Sequence, residues 1–233
     1  MSHSKTRQGD VVTAVAITAL LFACAGSAVR ASISITGNVT PDPNSVNSSE
    51  PLYVGDTVEG TMSVDGGSSV ASSAGYIAYA SGSGGSADVS GTGSEWNTGT
   101  GRLSVGDGGL GYMTISHGGS VTSGQTIVGN LANSDGVALV ADSGSSWSTG
   151  ELILGELGDG SLNISNGGSV NATDATAGAQ FRSTGSIQVD GEGSTLTAET
   201  LWLGNNSNTS GGGYGTLAIS NGAQVIDSSG ATV

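Results

Sequence analysis

The chain has 233 residues, of which 42 are Gly, 36% are hydrophobic and only 10% are charged. Its formal net charge is −14; Asp10 is the one acidic residue among the first 31, so 18 of the 19 acidic residues lie beyond, where only Arg102 and Arg182 oppose them. Such a surplus of negative charge repels phosphate backbones and anionic lipid headgroups, which excludes nucleic-acid binding.

The N-terminal segment has the organisation of an export signal. Two basic residues precede 15 mostly apolar residues, Val11 to Ala25, and Ala31 offers a small residue for cleavage. The apolar run is short for a membrane span, and no later run approaches 18 apolar residues. We therefore predict a cleaved signal peptide over residues 1–31, with lipidation of Cys24 as the less favoured alternative. No membrane insertion is expected of the mature region, which has no cysteine for disulfides or thiolate metal sites.

After a lead-in or cap over residues 32–50, one sequence frame recurs seven times within residues 51–233. The copies start at intervals of 25, 26, 25, 24, 25 and 30 residues, each with a Gly, and a Val or Ile follows four positions later. The starting glycines are Gly60, Gly85, Gly111, Gly136, Gly160, Gly185 and Gly215, and the residues four positions on are Val64, Val89, Ile115, Val140, Ile164, Val189 and Ile219. Such columns predict copies that stack on one another.

Two further patterns occur within each copy. Nine positions after the Gly, six copies have Ser, and we expect these hydroxyls to lie directly above one another: Ser69, Ser94, Ser120, Ser145, Ser169 and Ser194. Odd copies then place Val at position ten, whereas even copies place Trp96, Trp147 or Leu196 at position eleven. A Leu-rich segment such as "LILG" (Leu152 to Gly155) follows the even copies, and weaker versions follow the odd ones. The two tryptophans are expected to fill the core rather than to stack on sugars.

The periodicity indicates strands and not helices. Apolar residues alternate with period two over short stretches, and Gly, Asn, Asp and Ser flank them. A copy of about 25 residues cannot bury its own apolar faces, so successive copies must pair in parallel. We predict an all-β fold, a right-handed parallel β-helix (a solenoid) with about 25 residues per coil, preceded by a signal peptide.

The segment from Tyr53 to Gly109, with its "YVGD", "GTMSVDGGSSV" and "GTGSEWNTGTGRLSVGDGG" motifs, resembles the autotransporter and PEP-CTERM-associated repeat family of bacteria. The resemblance covers residues 52–233. It implies an exported parallel β-helix, displayed at the cell surface or released, with no catalytic residues to carry over. Family members usually end in a translocator barrel or a sorting tail, whereas this sequence stops at "GATV" (residues 230–233). We interpret it as a fragment or a truncated product.

Few residues have the chemistry of a catalytic or metal site. His117, the one histidine of the mature chain, aligns with Asn166 and Asn221, so we expect a turn residue there. Carboxylates such as Asp65, Asp107, Asp142, Asp159 and Asp190 fall at different positions of the repeat. The turns "GDGG" and "GELGDG" would bind calcium only weakly. We therefore predict no catalytic residues, no cofactor and no metal site.

The leading hypothesis is a secreted, non-enzymatic repeat protein that acts as a passive stalk or an adhesin-like surface. Its expected partner is an extracellular polysaccharide or a cell-surface component. The alternative is a carbohydrate-active enzyme similar to polysaccharide lyases on the same scaffold, with Arg102 or Arg182 as the base. The sequence leaves the oligomeric state open.

Overall fold

A computed structural model describes residues 31–204 and 212–229, and the described part contains strands but no helix. Except for Ala31, the predicted signal peptide with Cys24 lies outside the described residues, as does the terminal "GATV". The strands in chain order are β1 (Ser32–Gly37), β2 (Val39–Thr40), β3 (Pro51–Val54), β4 (Gly60–Asp65), β5 (Ser69–Ala71), β6 (Ala74–Ile77), β7 (Gly84–Ser90), β8 (Glu95–Asn97), β9 (Arg102–Val105), β10 (Leu110–Ser116), β11 (Ser120–Val128), β12 (Asp135–Ala141), β13 (Ser146–Leu154), β14 (Asp159–Ser165), β15 (Ser169–Ala177), β16 (Thr184–Asp190), β17 (Thr195–Ala198), β18 (Thr200–Leu203), β19 (Tyr214–Ser220) and β20 (Gln224–Asp227).

The strands form stacked parallel coils, which confirms the predicted solenoid. The first segment of each coil belongs to one sheet, whose parallel strands follow the order β4-β7-β10-β12-β14-β16-β19. The second and third segments belong to the other sheet. They are separate strands in some coils, such as β8 and β9, and merge into single nine-residue strands in β11, β13 and β15. The right-handed winding stays a prediction.

The register of the first sheet agrees with the columns predicted from the sequence. Gly111 pairs with Gly85 and Gly136, and Ile115 pairs with Val89 and Val140. Six of the seven starting glycines are buried and Gly215 is partly buried, and a Cβ on Gly160 would overlap the backbone of the preceding coil at Val128. Close approach of backbones, rather than positive φ, therefore explains this Gly column.

The prediction of a continuous Ser column was wrong. In the second segment Ser120 pairs with Glu95 and Ser146, not with Ser94 and Ser145. Even coils have one more residue than odd coils in the turn that precedes this segment, so equal counts from the Gly do not give equal positions. The pairing instead merges the Val and Trp patterns into one inward column, buried except at the partly exposed Val225: Val70, Trp96, Val121, Trp147, Val170, Leu196 and Val225.

The serines of even coils have a different role from those of odd coils. Ser94 and Ser145 are buried, and their Oγ atoms accept hydrogen bonds from Gly67 N and Gly118 N of the preceding coil, at 3.1 and 3.0 Å. Ser194 does the same for Gly167 N at 3.0 Å. These hydroxyls satisfy backbone donors in the tight turns of the odd coils, which is where the extra residue of the even turn places them.

Large and small residues alternate in the core of the third segment. Its inward column reads Leu52, Gly75, Leu103, Thr126, Leu152, Ala175 and Leu201. A Cβ on Gly75 would lie 2.5 Å from Trp96 Cζ2 and 2.8 Å from Leu103 Cδ1. The small residues of odd coils thus leave room for the Trp and Leu side chains of even coils, which keeps the core filled.

The N-terminal lead-in pairs in the opposite sense to the coils. β1 lies antiparallel to β4, and β2 lies antiparallel to β3. Ile33 and Val39 pack against the core from this end. The first coil is therefore covered by antiparallel strands, which the sequence pattern had indicated only as a lead-in or cap.

Candidate functional site

Trp96 and Trp147 lie in the core, as predicted, and both are fully buried. Trp96 Nε1 donates to Ser72 Oγ at 3.1 Å, whereas Trp147 Nε1 has no partner among the described residues. Neither indole offers a face to solvent, so neither stacks on a sugar at the surface.

Arg102 is held in a polar cluster on the outer side of the third segment. Its Nη2 lies 3.0 Å from Asp107 Oδ1. The same oxygen accepts hydrogen bonds from Ser104 Oγ at 2.6 Å and from Asn130 Nδ2 at 2.9 Å, and Asp107 is only 5% exposed. The pair joins two neighbouring coils, because Asn130 belongs to the next one. The Arg102 guanidinium is held as the charged partner of a buried carboxylate and is not free to act on a substrate, which weakens the case for Arg102 as the base of a lyase.

Arg182 lies in the turn that precedes β16, with a φ of +68°. Its guanidinium carbon is 5.0 Å from the centroid of the Phe181 ring, and both side chains are exposed. In residues 31–204 and 212–229 no carboxylate forms an ion pair with it. Arg102 and Arg182 therefore lie in different environments, one paired and one open to solvent.

His117 lies in a turn, as predicted, with a φ of +53° that Asn166 and Asn221 share at 53° and 52°. Its side chain is 77% exposed, and Nδ1 is 3.5 Å from Asp142 Oδ2 of the next coil. An exposed pair at this distance contributes little to stability.

The acidic turns are occupied by hydrogen bonds within the fold. Asp107 of "GDGG" is enclosed by its three donors, and Glu156 of "GELGDG" accepts from Gln180 Nε2 at 3.2 Å. Asp190 accepts from Ser220 Oγ and Asn221 Nδ2 at 2.5 and 2.6 Å. Among the residues that the structure describes, no three His, Cys, Asp or Glu side chains meet in a group that could hold a metal ion. Weak calcium binding at these turns stays a prediction.

A cluster of three tyrosines lies on the surface at the N-terminal end of the solenoid and was not predicted from the sequence. Tyr53 of β3 and Tyr76 of β6 are directly paired neighbours, with ring centroids 5.1 Å apart and planes inclined by 15°. Tyr79 packs edge-on against both, at 5.1 and 5.4 Å. The chain has only five tyrosines. Three of them are therefore gathered in one patch, which we call the tyrosine cluster.

The electrostatics of the tyrosine cluster favour the protonated phenol of Tyr53. Burial is the largest cause that raises the pKa of Tyr53, followed by the neighbouring Tyr76 and Tyr79 and then by the carboxylates of Asp56 and Asp107. Asp56 is half-buried, and no side-chain donor to its carboxylate is seen among the described residues. The cluster thus combines aromatic surface, phenol hydroxyls and an adjacent negative charge.

The signal for this cluster was present but obscured. In "LYVG" the Tyr lies between two inward residues and must point outward, and "GYIA" (Gly75 to Ala78) has the same pattern one coil later. Gly75 replaces the expected Leu, and Ala78 replaces the expected Gly with a φ of +56°. These two departures hid the third segment of the first coil.

Polar side chains cover the outer face of the second segment. Two outward positions per coil form columns in direct register, and apart from Glu95 all their members from β8 to β17 are uncharged: Glu95 and Asn97, Ser120 and Thr122, Ser146 and Ser148, Ser169 and Asn171, Thr195 and Thr197. Hydroxyl and amide groups of this kind donate and accept hydrogen bonds without a net charge.

A groove of about 550 Å³ opens on the first sheet near the N-terminal end. Its floor is the glycine-rich segment 82–86 of the second coil, and Val58, Leu110 and Tyr112 from the coils on either side form apolar walls. Glu59 also lines it. The groove exists because Gly84 pairs with Leu110 and has no side chain to fill the space.

No family model matches the chain, and neither the curated proteins nor the solved structures include a match. In the ranges 31–204 and 212–229 no helix is long and apolar enough to cross a membrane.

Proposed function

We propose that the protein is an exported, non-enzymatic solenoid that binds extracellular polysaccharide through its outer surface, in the manner of an adhesin. The observation that supports this most directly is the tyrosine cluster. Tyr53 and Tyr76 stack in register, and Tyr79 packs against both. Aromatic rings at a surface provide apolar area for sugar rings, and the phenol hydroxyls provide hydrogen bonds.

The charge of the protein restricts the kind of polysaccharide. The mature region has 18 acidic residues against Arg102 and Arg182, and Asp56 lies beside the tyrosine cluster. Uronic-acid polymers would be repelled, whereas neutral or amine-bearing polymers would not. The proposed partner is therefore a neutral or cationic polysaccharide.

Binding to insoluble polysaccharides tests this proposal. The exported protein is mixed with cellulose-type and chitosan-type particles, and the bound fraction is measured. The Tyr79→Ala variant should bind about tenfold more weakly, because one exposed anchoring ring is worth more than 1 kcal/mol. Tyr214→Ala is the matched control, since Tyr214 is also exposed and lies at the other end of the solenoid. Equal binding by the two variants, or no binding by the unaltered protein, contradicts the proposal.

The lyase alternative has its own test. The protein is incubated with pectin- and alginate-type polymers in the presence of Ca²⁺, and unsaturated products are followed by absorbance. We expect none, because Arg102 is paired with Asp107 and Arg182 packs on Phe181. Product formation that disappears on replacement of Arg102 or Arg182 would establish the enzyme instead.

Export is tested separately. N-terminal sequencing of the protein recovered from the medium or the cell surface should begin at Ser32 if the signal peptide covers residues 1–31. A first residue within the apolar run Val11 to Ala25, or an intact N-terminus on a protein retained in the cell, would contradict it. The resemblance to the autotransporter and PEP-CTERM-associated repeats supports the same expectation.

A further inference from the structure

Large apolar side chains are exposed in the connections between the third segment of one coil and the first-sheet strand of the next. We call five of them, on the first and on the third to sixth coils, the apolar ridge; its members are Val58, Leu110, Leu131, Leu157 and Phe181, and each is at least 42% exposed. Five steps of about 4.8 Å give the ridge a length of about 24 Å. Its members stand at different positions of the connection and have polar neighbours, as where Leu110 pairs with Asp135. Exposed apolar side chains gathered along one edge of a molecule are typical of an interaction surface.

The two ends of the apolar ridge differ in shape. Towards the N-terminal end, Val58 and Leu110 wall the 550 Å³ groove over the second coil, with Glu59 at its side. Towards the C-terminal end, Phe181 and Arg182 form a protruding pair in the sixth coil, with the guanidinium over the ring. One end therefore offers an apolar recess beside a carboxylate, and the other offers an aromatic ring beside a cation.

We propose that the partner of the apolar ridge is a second copy of this chain, in an antiparallel two-fold dimer. The floor of the recess, residues 82–86, includes Gly85 of the second coil, and Phe181 and Arg182 come shortly before Gly185 of the sixth coil, which lies in the same column of the first sheet. A two-fold axis perpendicular to the solenoid and passing through the fourth coil brings each pair to the recess of the other copy. Both contacts form at once, which is the self-complementarity that a closed dimer requires. Leu131, on the fourth coil, meets its own counterpart at the axis.

Charge complementarity favours a second copy of this chain over an acidic partner, and it sets how the two solenoids align in the dimer. Arg182 forms no ion pair within residues 31–204 and 212–229, and in the dimer it faces Glu59 of the second copy. The ring of Phe181 leaves water and enters the glycine-floored recess, whose volume lies within the range of ligand sites. The net charge of −14 on each copy opposes association, although salt at about 0.15 M screens charges separated by more than about 8 Å.

Sedimentation equilibrium of the exported protein tests the proposal. We expect a concentration-dependent dimer that Phe181→Ser weakens by about tenfold or more, as removal of a central aromatic anchor does. Ile35→Ser is the control, since Ile35 is exposed on β1, away from the apolar ridge. Phe181 and Ile35 are both exposed, so circular dichroism should show the same β content in both variants.

A charge exchange tests the register. Arg182→Glu and Glu59→Arg should each weaken the dimer, because each places like charges at the contact, and the double variant should restore it. A protein that stays monomeric at high concentration overturns the proposal. So does a dimer that Phe181→Ser leaves unchanged, or a double variant that is as weak as the singles.

Discussion

Trp96 and Trp147 occupy the same position in coils two turns apart, yet their indole N–H groups differ in hydrogen bonding. Next to Trp147, Ser123 Oγ lies 2.8 Å from Thr126 Oγ1, and Thr126 in turn bonds to Thr149 at 3.1 Å. In the first coil Gly75 takes the place of Thr126, so Ser72 is free to accept from Trp96. The absence of a side chain at Gly75 thus gives the buried indole N–H of Trp96 a hydrogen-bond partner that Trp147 lacks.

This difference predicts unequal costs for one substitution at two equivalent sites. Trp96→Phe removes a buried hydrogen bond and leaves Ser72 without its donor, whereas Trp147→Phe removes an N–H that has no partner among the described residues. We expect the free energy of unfolding to fall by about 1–2 kcal/mol more for Trp96→Phe. Urea unfolding measures both. Ser72→Ala is the control for the same bond, and equal losses at the two tryptophans would contradict the argument.

Tyr53 gives the protein an alkaline sensitivity. Its pKa is raised above the ordinary tyrosine value, chiefly by burial. Below about pH 10 both the folded and the unfolded chain keep the phenol proton. Above that the unfolded chain loses it first, so the free energy of unfolding falls until the folded Tyr53 also ionises. Tyr53→Phe should show a shallower loss of melting temperature between about pH 9 and about pH 11. If the melting temperature falls equally with pH in the unaltered protein and in Tyr53→Phe, then groups other than Tyr53 cause the alkaline loss of stability.

At the scale of strands, the sequence predicted the columns whose residues recur at a fixed distance from the starting Gly. It did not predict the pairing of residues that follow a turn of variable length. The columns of Gly60 and Val64 were found because the first segment follows its Gly without insertions. The Ser column was wrong because the even turns, such as Gly91–Ser94, have one residue more. Strand register follows backbone pairing, and counting along the chain cannot detect a residue accommodated in a turn.

The tyrosine cluster was missed for a related reason. Its members lie in two coils, and their proximity depends on the pairing of β3 with β6. Gly75 has the wrong residue type for the Leu column, although it is the size that Trp96 requires. A pattern taken from one column of residues does not show that a small residue in one coil makes room for a large residue of the next coil. The Arg102–Asp107 pair and its Asn130 contact were missed in the same way.

The extra residue of the even turns predicts the effect of a deletion. Removing Thr92 gives the turn before β8 the length of the odd turns, whose tenth residue after the starting Gly points inward, so Trp96 should stay in the core. We expect the free energy of unfolding to fall by about 1–3 kcal/mol at most, through loss of the hydrogen bond from Gly67 N to Ser94 Oγ, without a shift in tryptophan fluorescence. Removing both Thr92 and Gly93 makes the turn shorter than either kind and should shift β8 by one residue, which directs Trp96 outward. This double deletion should cost at least about 3 kcal/mol and move the fluorescence to longer wavelength. A shifted spectrum after the single deletion, or an unshifted one after the double deletion, would contradict the register argument.

At the scale of the whole molecule, the solenoid is a one-dimensional stack in which each coil contacts only its neighbours. Stability then depends on the interfaces between coils, and an uncovered coil presents unpaired backbone groups and a cut through the core. The N-terminal end is covered by β1 and β2, which run against the direction of the coils. A further parallel coil cannot continue the same ladder through such an antiparallel cap.

This cap predicts the behaviour of a shortened protein. Removing residues 32–40 exposes the outer edges of β3 and β4 together with core residues that Ile33 and Val39 cover. Exposed parallel edges are templates for pairing between molecules, so the shortened chain should form assemblies larger than a dimer. Light scattering during gel filtration measures them. The deletion is best made with Phe181→Ser, which should remove association through the apolar ridge, so that any remaining assembly comes from the uncovered edge. If the shortened variant elutes as a monomer with an unchanged free energy of unfolding, then β1 and β2 neither protect the end nor stabilise the first coil.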